Sequence, residues 1–298
     1  MVKRIAVLIT CYNRKNTTLA ALEALFSQEL PRYHLLDVFL TDDGSNDGTS
    51  EAVQIRYPQV HVSRGTGALY WGGGMRQAWI TALDSDPDFY LWLNDDTSLL
   101  DGALLRLLET FESLNERFGS HILVGATRDP ITGVDNYGGL IRTSRLRKLK
   151  FTRLPPSNEP VRCETMNGNC VLVPSVIVSR IGILSPKFTH YMADIDYGLR
   201  ATQAGFGIWI MPGFAGTCRS NSSESTWKDH ALGVQQSWIM IKSPKGLPPR
   251  EWRSFSKAHA GVLWPLYWLS PYANMLLRIA RYHVTKGTIG FFGARKIS

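Results

Sequence analysis

The sequence predicts an α/β fold in which a mixed, mostly parallel sheet is flanked by helices. Three observations carry that prediction. Strand-like and helix-like patterns alternate over residues 3–118, as crossover connections require. Aspartate- or glycine-rich turns punctuate the alternation. The composition, 44% hydrophobic and 19% charged over 298 residues, is that of a globular chain and excludes disordered, collagen-like and coiled-coil classes.

Taken in order, Lys3–Thr10 is an apolar run suited to a buried strand, and Asn16–Leu30 places Leu19, Leu22, Leu25 and Phe26 at helical spacing. His34–Thr41 is the second strand, followed by the turn Asp42-Asp43-Gly44-Ser45, a short helix through Arg56 and a brief strand at Val60–Ser63. A glycine-rich turn opens the next helix, near Met75–Leu83. Phe89–Leu93 is a fourth strand that runs into Asn94-Asp95-Asp96-Thr97, and Leu99–Phe118 is a long amphipathic helix. After the strand His121–Thr127, the basic stretch Arg142, Arg145, Arg147, Lys148, Lys150 and Arg153 reads with its Pro/Ser/Asn continuation as a mobile, solvated loop. Cys163–Val173 is strand-like, helices follow at Pro174–Arg180 and Asp194–Ala204, and Gly207–Met211 is a last strand.

Charge is uneven along the chain. Residues 242–298 hold ten lysines and arginines against the single acid Glu251, so the net charge of +8 lies almost wholly there. Within that region Gly261–Val284 is apolar and aromatic, but Pro265 and Pro271 interrupt it and Arg278 and Arg281 end it, so it does not read as a bilayer-spanning helix. Interfacial residues such as Trp264, Tyr267, Trp268 and Tyr272 beside lysine and arginine suit an anionic membrane surface; helices packed on the core are the alternative. Aromatic and basic residues could also meet single-stranded nucleic acid, but no nucleic-acid motif accompanies them, and no nucleic-acid partner is expected. The four cysteines have neither zinc nor paired spacing and read as reduced thiols; with no secretory h-region behind Met1, the expected location is cytoplasmic.

Two acid-rich turns at the carboxyl ends of strands call for a cation or a polar ligand, since ligands of open α/β sheets bind at that edge. Asn94-Asp95-Asp96 suits Mg²⁺ or Mn²⁺ with a diphosphate, unless Asp96 caps the following helix. Asp42-Asp43 can accept from a base or ribose, or simply form an Asx-type turn. Trp71-Gly72-Gly73-Gly74 at a helix start would let backbone N–H groups approach an anion. Asp194 and Asp196 point about 200° apart on a helix. Asp196 pairs with Arg200 at i, i+4 as support, which leaves Asp194 to act as a general base.

Thr10-Cys11-Tyr12-Asn13-Arg14, Asp42-Asp43-Gly44-Ser45, Leu93-Asn94-Asp95-Asp96 and Ala193-Asp194-Ile195-Asp196-Tyr197-Gly198-Leu199-Arg200, in this order, resemble the inverting family 2 glycosyltransferases of bacteria over residues 3–220. The resemblance implies a Rossmann-like GT-A fold: a donor half at 1–118, an acceptor and catalytic half at 119–241, and a helical, membrane-associating extension at 242–298. It implies a nucleotide-diphosphate-sugar donor read by Asp42 beside Thr10, Tyr12 and Asn13, with Asp43, Trp71, Gly72, Gly73, Asn94 and Asp95 around it. It places the Mg²⁺ or Mn²⁺ ion on Asp96 with Asp95, and the catalytic base at Asp194. It assigns the sugar and acceptor pocket to Asn167, Gly168 and Asn169, with Asp196 and Arg200 counted beside them.

The expected product is an inverted glycosidic bond to a glycan on a polyprenyl diphosphate, made at the inner face of the membrane for an O-antigen, a capsule or a related surface polysaccharide. A soluble or protein acceptor, or a decayed nucleotide-sugar or membrane-binding module, are the alternatives. Three departures from the family pattern stand out. Ala193 replaces a glutamate, Asn94 replaces the first aspartate of D-x-D, and Thr217-Cys218-Arg219-Ser220-Asn221 lacks the metal-binding histidine of many relatives.

Overall fold

The computed structural model describes residues 2–144, 147–220 and 232–293, with side chains as far as Arg281. The chain divides into two compact units, 1–220 and 221–298.

Four apolar strands, β1 (Lys3–Cys11), β2 (His34–Asp42), β3 (His61–Arg64) and β4 (Phe89–Leu93), lie in the parallel order β3-β2-β1-β4. Near-continuous burial of β1 and β4 is what a strand covered on both faces requires. Three helices return the chain: α1 (Lys15–Phe26), α2 (Thr49–Arg56) and α3 (Tyr70–Leu83). Beyond β4 come β5 (Thr97–Leu99), the amphipathic α4 (Ala103–Phe118) and β6 (His121–Arg128). The remaining elements of this unit are β7 (Asp135–Tyr137), β8 (Gly139–Arg142), β9 (Phe151–Arg153), β10 (Val161–Cys163), β11 (Thr165–Met166), β12 (Cys170–Pro174), α5 (Ser175–Ile181), α6 (Ala193–Gln203) and β13 (Gly207–Cys218). Strand β12 lies antiparallel between β4 and β6, and β13 runs parallel to β6, so one mixed sheet joins residues before and after 118.

Several expectations are corrected. The 163–173 strand is three short pieces, broken at Glu164, whose N–H bonds the Leu140 carbonyl, and after Met166, where Asn167 N–H bonds the Gly138 carbonyl. The last strand extends to Cys218 rather than Met211, held by antiparallel pairing with β5. Helix α4 starts at Ala103, with Leu99 in β5, so Asp96 caps nothing there. The basic stretch is not simply a solvated loop. Arg142 and Arg153 lie on the paired strands β8 and β9 and bond Glu164 and Asp135, while Arg145 falls outside the described residues.

In the second unit, α7 (Val234–Lys242) and α8 (Pro249–His259) precede a 3-10 turn at Gly261–Leu263 and α9 (Trp264–Gly293). Pro265 and Pro271 do not interrupt the apolar segment. Pro265 sits in the first turn, where its missing N–H costs nothing, and α9 continues through Pro271. Trp252 Nε1 donates to the Tyr267 carbonyl at 3.2 Å, Trp268 Nε1 to Pro249 O at 3.1 Å and Tyr272 Oη to Leu247 O at 2.9 Å, which fixes α9 on α8. Among the described residues no helix is long and apolar enough to cross a membrane.

Candidate active site

The carboxyl ends of β1, β2 and β4 meet at one edge of the sheet, where Cys11 stands opposite Asp42 in register. The end of β12 joins them, because Cys170 pairs with Leu93 and Asn94 N–H donates to the Asn169 carbonyl at 3.0 Å. The turn Asn94-Asp95-Asp96 and the segment Asn167-Gly168-Asn169 are therefore neighbours.

Asp194 sits half-buried at the start of α6. Its Oδ2 accepts from Gly168 N–H at 3.1 Å and its Oδ1 from Ile195 N–H at 2.8 Å, with the Asn167 side chain also bonded to it. Burial outweighs these donors and pushes its carboxyl up to about 6. Such a group is ionised near neutrality yet basic enough to take a proton. One turn along, Tyr197 is fully buried against Trp79 of α3 and Trp92 of β4, at ring-centroid separations of 5.4 and 5.1 Å. That packing fixes α6, and with it Asp194, on the sheet.

Trp71 ties the two acid sites together. Its Nε1 donates to Asn94 Oδ1 at 2.7 Å, and its ring lies so close to Gly168 that a Cβ there would come within 2.4 Å of it. Glycine at 168 is thus required for the indole to lie beside Asp194.

Arg14 governs the other acids. Its Nη1 reaches Asp95 Oδ1 at 3.1 Å and Asp96 Oδ2 at 2.8 Å. Asp95 is 6% exposed, and burial lifts its carboxyl to about 7, with the Asp96 charge adding to the rise and Arg14 opposing it. Asp96 Oδ1 accepts from Cys218 Sγ at 3.4 Å, and Asn169 Nδ2 lies 3.5 Å from the same sulfur. The Cys218 thiol is pushed up to about 12 by burial and by Asp96. Among the described residues no group of three His, Cys, Asp or Glu could hold a metal. Asp95 and Asp96 nevertheless form a donor pair of the kind Mg²⁺ or Mn²⁺ uses, one or two carboxylates completed by phosphate oxygens and water. The residues fit the ion on that basis.

Other expected site residues have structural partners. Both Asp42 oxygens are engaged, one by Ser45 N–H at 2.8 Å and one by the Ser50 hydroxyl, as an Asx-type turn would have it. Asp43 accepts from Gly67, Leu69 and Tyr70 N–H at 2.8, 2.8 and 3.0 Å and so caps the start of α3. Asn13, at a left-handed φ of 51°, bonds Ser45 and Asn46, while Thr10 is packed against Gly74. Tyr12 is 52% exposed at the same edge.

One expectation is corrected and another is met in its supporting role. The glycine triplet lies inside α3 rather than in a turn before it, and Gly72 and Gly73 N–H both donate to the Thr189 carbonyl, at 2.8 and 3.3 Å. Those amides are spent on the 185–192 loop and do not face an anion. Asp196 and Arg200 make the expected i, i+4 pair at 2.8 Å, but Arg200 also donates to the Ile181 and Ile183 carbonyls, at 2.7 and 3.0 Å. The pair anchors α6 to the end of α5.

Arg14, Cys218 and Thr189 are residues at the site to which the motifs assigned no role. Arg14 did carry a signal. It is the N-cap of α1, a helix with no acid in its first turn, and a cation at the positive end of a helix needs a partner elsewhere.

Residues 6–171 match the family described as Glycosyl transferase family 2. The N-acetylglucosaminyl-diphospho-decaprenol L-rhamnosyltransferase of Mycobacterium tuberculosis, from strains CDC 1551 / Oshkosh and ATCC 25618 / H37Rv alike, is 26% identical over 243 residues, 70% of this chain and 73% of the relative. Among solved structures, GalNAc-T7 with UDP, GalNAc and Mn2+ superposes with a TM-score of 0.57 at 14% identity, over 75% of this chain. S. aureus TarS superposes at 0.51 and 14% over 86% of it. The chain spans only 44% and 42% of the lengths of those two proteins, and the likeness establishes the GT-A fold.

Proposed function

The chain belongs to glycosyltransferase family 2, and from that premise we propose that it transfers a hexosyl or deoxyhexosyl group from a nucleotide-diphosphate sugar to a glycan on a polyprenyl diphosphate, with inversion. The mycobacterial relative is named as an L-rhamnosyltransferase acting on N-acetylglucosaminyl-diphospho-decaprenol. An L-rhamnosyl donor and a lipid-linked N-acetylglucosaminyl acceptor for cell-surface polysaccharide are therefore the first pair to try.

The observation that carries the reading is the placement of Asp194, linked to the Asn94-Asp95-Asp96 turn through Gly168 and Trp71. Asp194 takes the proton of the acceptor hydroxyl as that oxygen attacks the anomeric carbon; the carbon–phosphate oxygen bond breaks and the nucleoside diphosphate leaves from the opposite face. Asn167, Gly168 and Asn169 line the sugar and acceptor side, and Tyr12, Asn13 and Thr10 the nucleoside side, with Asp42 and Asp43 holding that wall in shape. Asp96 and Asp95 would hold Mg²⁺ or Mn²⁺, which when bound supplies positive charge against the leaving diphosphate. The enzyme works on the cytoplasmic face of the membrane, which residues 242–298 contact.

A thermal-shift panel of UDP, dTDP, GDP and CMP, each with and without Mn²⁺, tests the donor side. A ligand at about 100 times its Kd adds roughly 2.7 kcal/mol. One nucleoside diphosphate should raise the melting temperature in a Mn²⁺-dependent way, with dTDP expected for a rhamnosyl donor. Silence from all four in folded protein contradicts the reading.

A further inference from the structure

The second unit carries an apolar ridge that the fold leaves uncovered. Along the 3-10 turn and α9, Val262, Leu263, Leu266, Leu269, Leu276 and Leu277 are all at least 49% exposed, and Val262 reaches 92%. Their spacing places them on one side of the helix, because Tyr272, Met275 and Ile279 on the other side are buried. A run of exposed leucines at helical spacing is not the scatter of single apolar residues that any surface shows.

A basic stripe leads into the ridge. On α8 the buried face is Trp252, Phe255, Ser256 and His259, and the exposed face is Arg250, Arg253 and Lys257 at i, i+3 and i+7. The Arg253 guanidinium lies over the Trp264 ring, 5.4 Å from its centroid, so the stripe meets the ridge where α9 begins.

We propose that these two features form one interfacial docking surface for an anionic bilayer. The leucines of the 3-10 turn and α9 enter the headgroup–acyl boundary, and Arg250, Arg253 and Lys257 pair with the headgroups. An apolar helix face flanked by bases is the arrangement that holds a helix flat in an interface, and anionic lipid attracts each base near the surface. Charge complementarity selects this partner over a second copy of the chain, which would bring the same bases against themselves. The proposal deepens the membrane side of the function proposed above and rests on its lipid-linked acceptor for the reason a bilayer is there.

The test is co-sedimentation of the full chain with phosphatidylcholine vesicles, with and without about one-third phosphatidylglycerol. It needs neither nucleotide nor acceptor, so its result is independent of the donor panel. The unaltered protein should sediment with the anionic vesicles and be released by salt. The exposed triple variant Leu263→Ser, Leu266→Ser, Leu269→Ser should lose most of that binding at an unchanged melting temperature. Arg250→Gln, Arg253→Gln, Lys257→Gln should weaken anionic-vesicle binding by about a hundredfold, at roughly one kcal/mol for each charge. No sedimentation with either vesicle, or variants that bind as well as the parent, overturns the proposal. So does a leucine variant that alters the oligomeric state in light scattering while vesicle binding stays as it was.

Discussion

At the scale of single residues, the site rests on two carboxyl environments of different kinds. Asp194 is raised to about 6 by burial. A base must be ionised to accept a proton, so transfer should fail as pH drops through that value. Asp95 and Asp96 share one guanidinium instead, with Arg14 within 3.1 Å of both. A cation bound by the same oxygens must displace or share that contact. Arg14→Gln should therefore bind Mn²⁺ alone more tightly than the parent, by about tenfold, the equivalent of 1.4 kcal/mol. Calorimetric titration in the absence of nucleotide reads this directly, and equal affinities would show that Arg14 does not compete.

At the scale of elements, the site is held by how α3 and α6 are seated. Asp43 gathers three backbone N–H groups at the start of α3, where the helix needs acceptors that its own turn cannot supply. Asp43→Ala leaves those half-exposed donors to water and should cost about 1–2 kcal/mol in chemical denaturation, the range for losing an acceptor at a helix N-terminus. Asp43→Asn should recover part of it. This division of labour also explains what the sequence revealed. The parallel β-strands, α6 and its Asp194 were legible, because apolar runs, helical spacing and acid-bearing turns are local signals. The placing of α3 was not. Tyr70-Trp71-Gly72-Gly73-Gly74 has the composition of a loop, and it becomes helical because absent side chains let α3 approach Thr10 and the 188–189 backbone. The breaks in the 163–173 strand were hidden too: Glu164 and Asn167 N–H bond the distant Leu140 and Gly138 carbonyls, which no local pattern encodes.

At the scale of the whole molecule, chemistry and charge are segregated along the chain. The mixed sheet of the first unit gathers all the acids of the proposed site at one edge, while the second unit holds nearly all the net positive charge and the uncovered leucine ridge. A transferase with the proposed soluble donor and lipid-embedded acceptor has use for both. The central claim concerns the first unit: Asp194 is the base of an inverting transfer. It is tested most directly by the rate of sugar transfer in Asp194→Asn, measured at saturating donor with donor affinity determined in parallel. The account expects transfer to fall by about 10²–10⁴-fold, the range a positioned general base contributes, with donor affinity close to that of the parent protein. Transfer at the parent rate in that variant would contradict it.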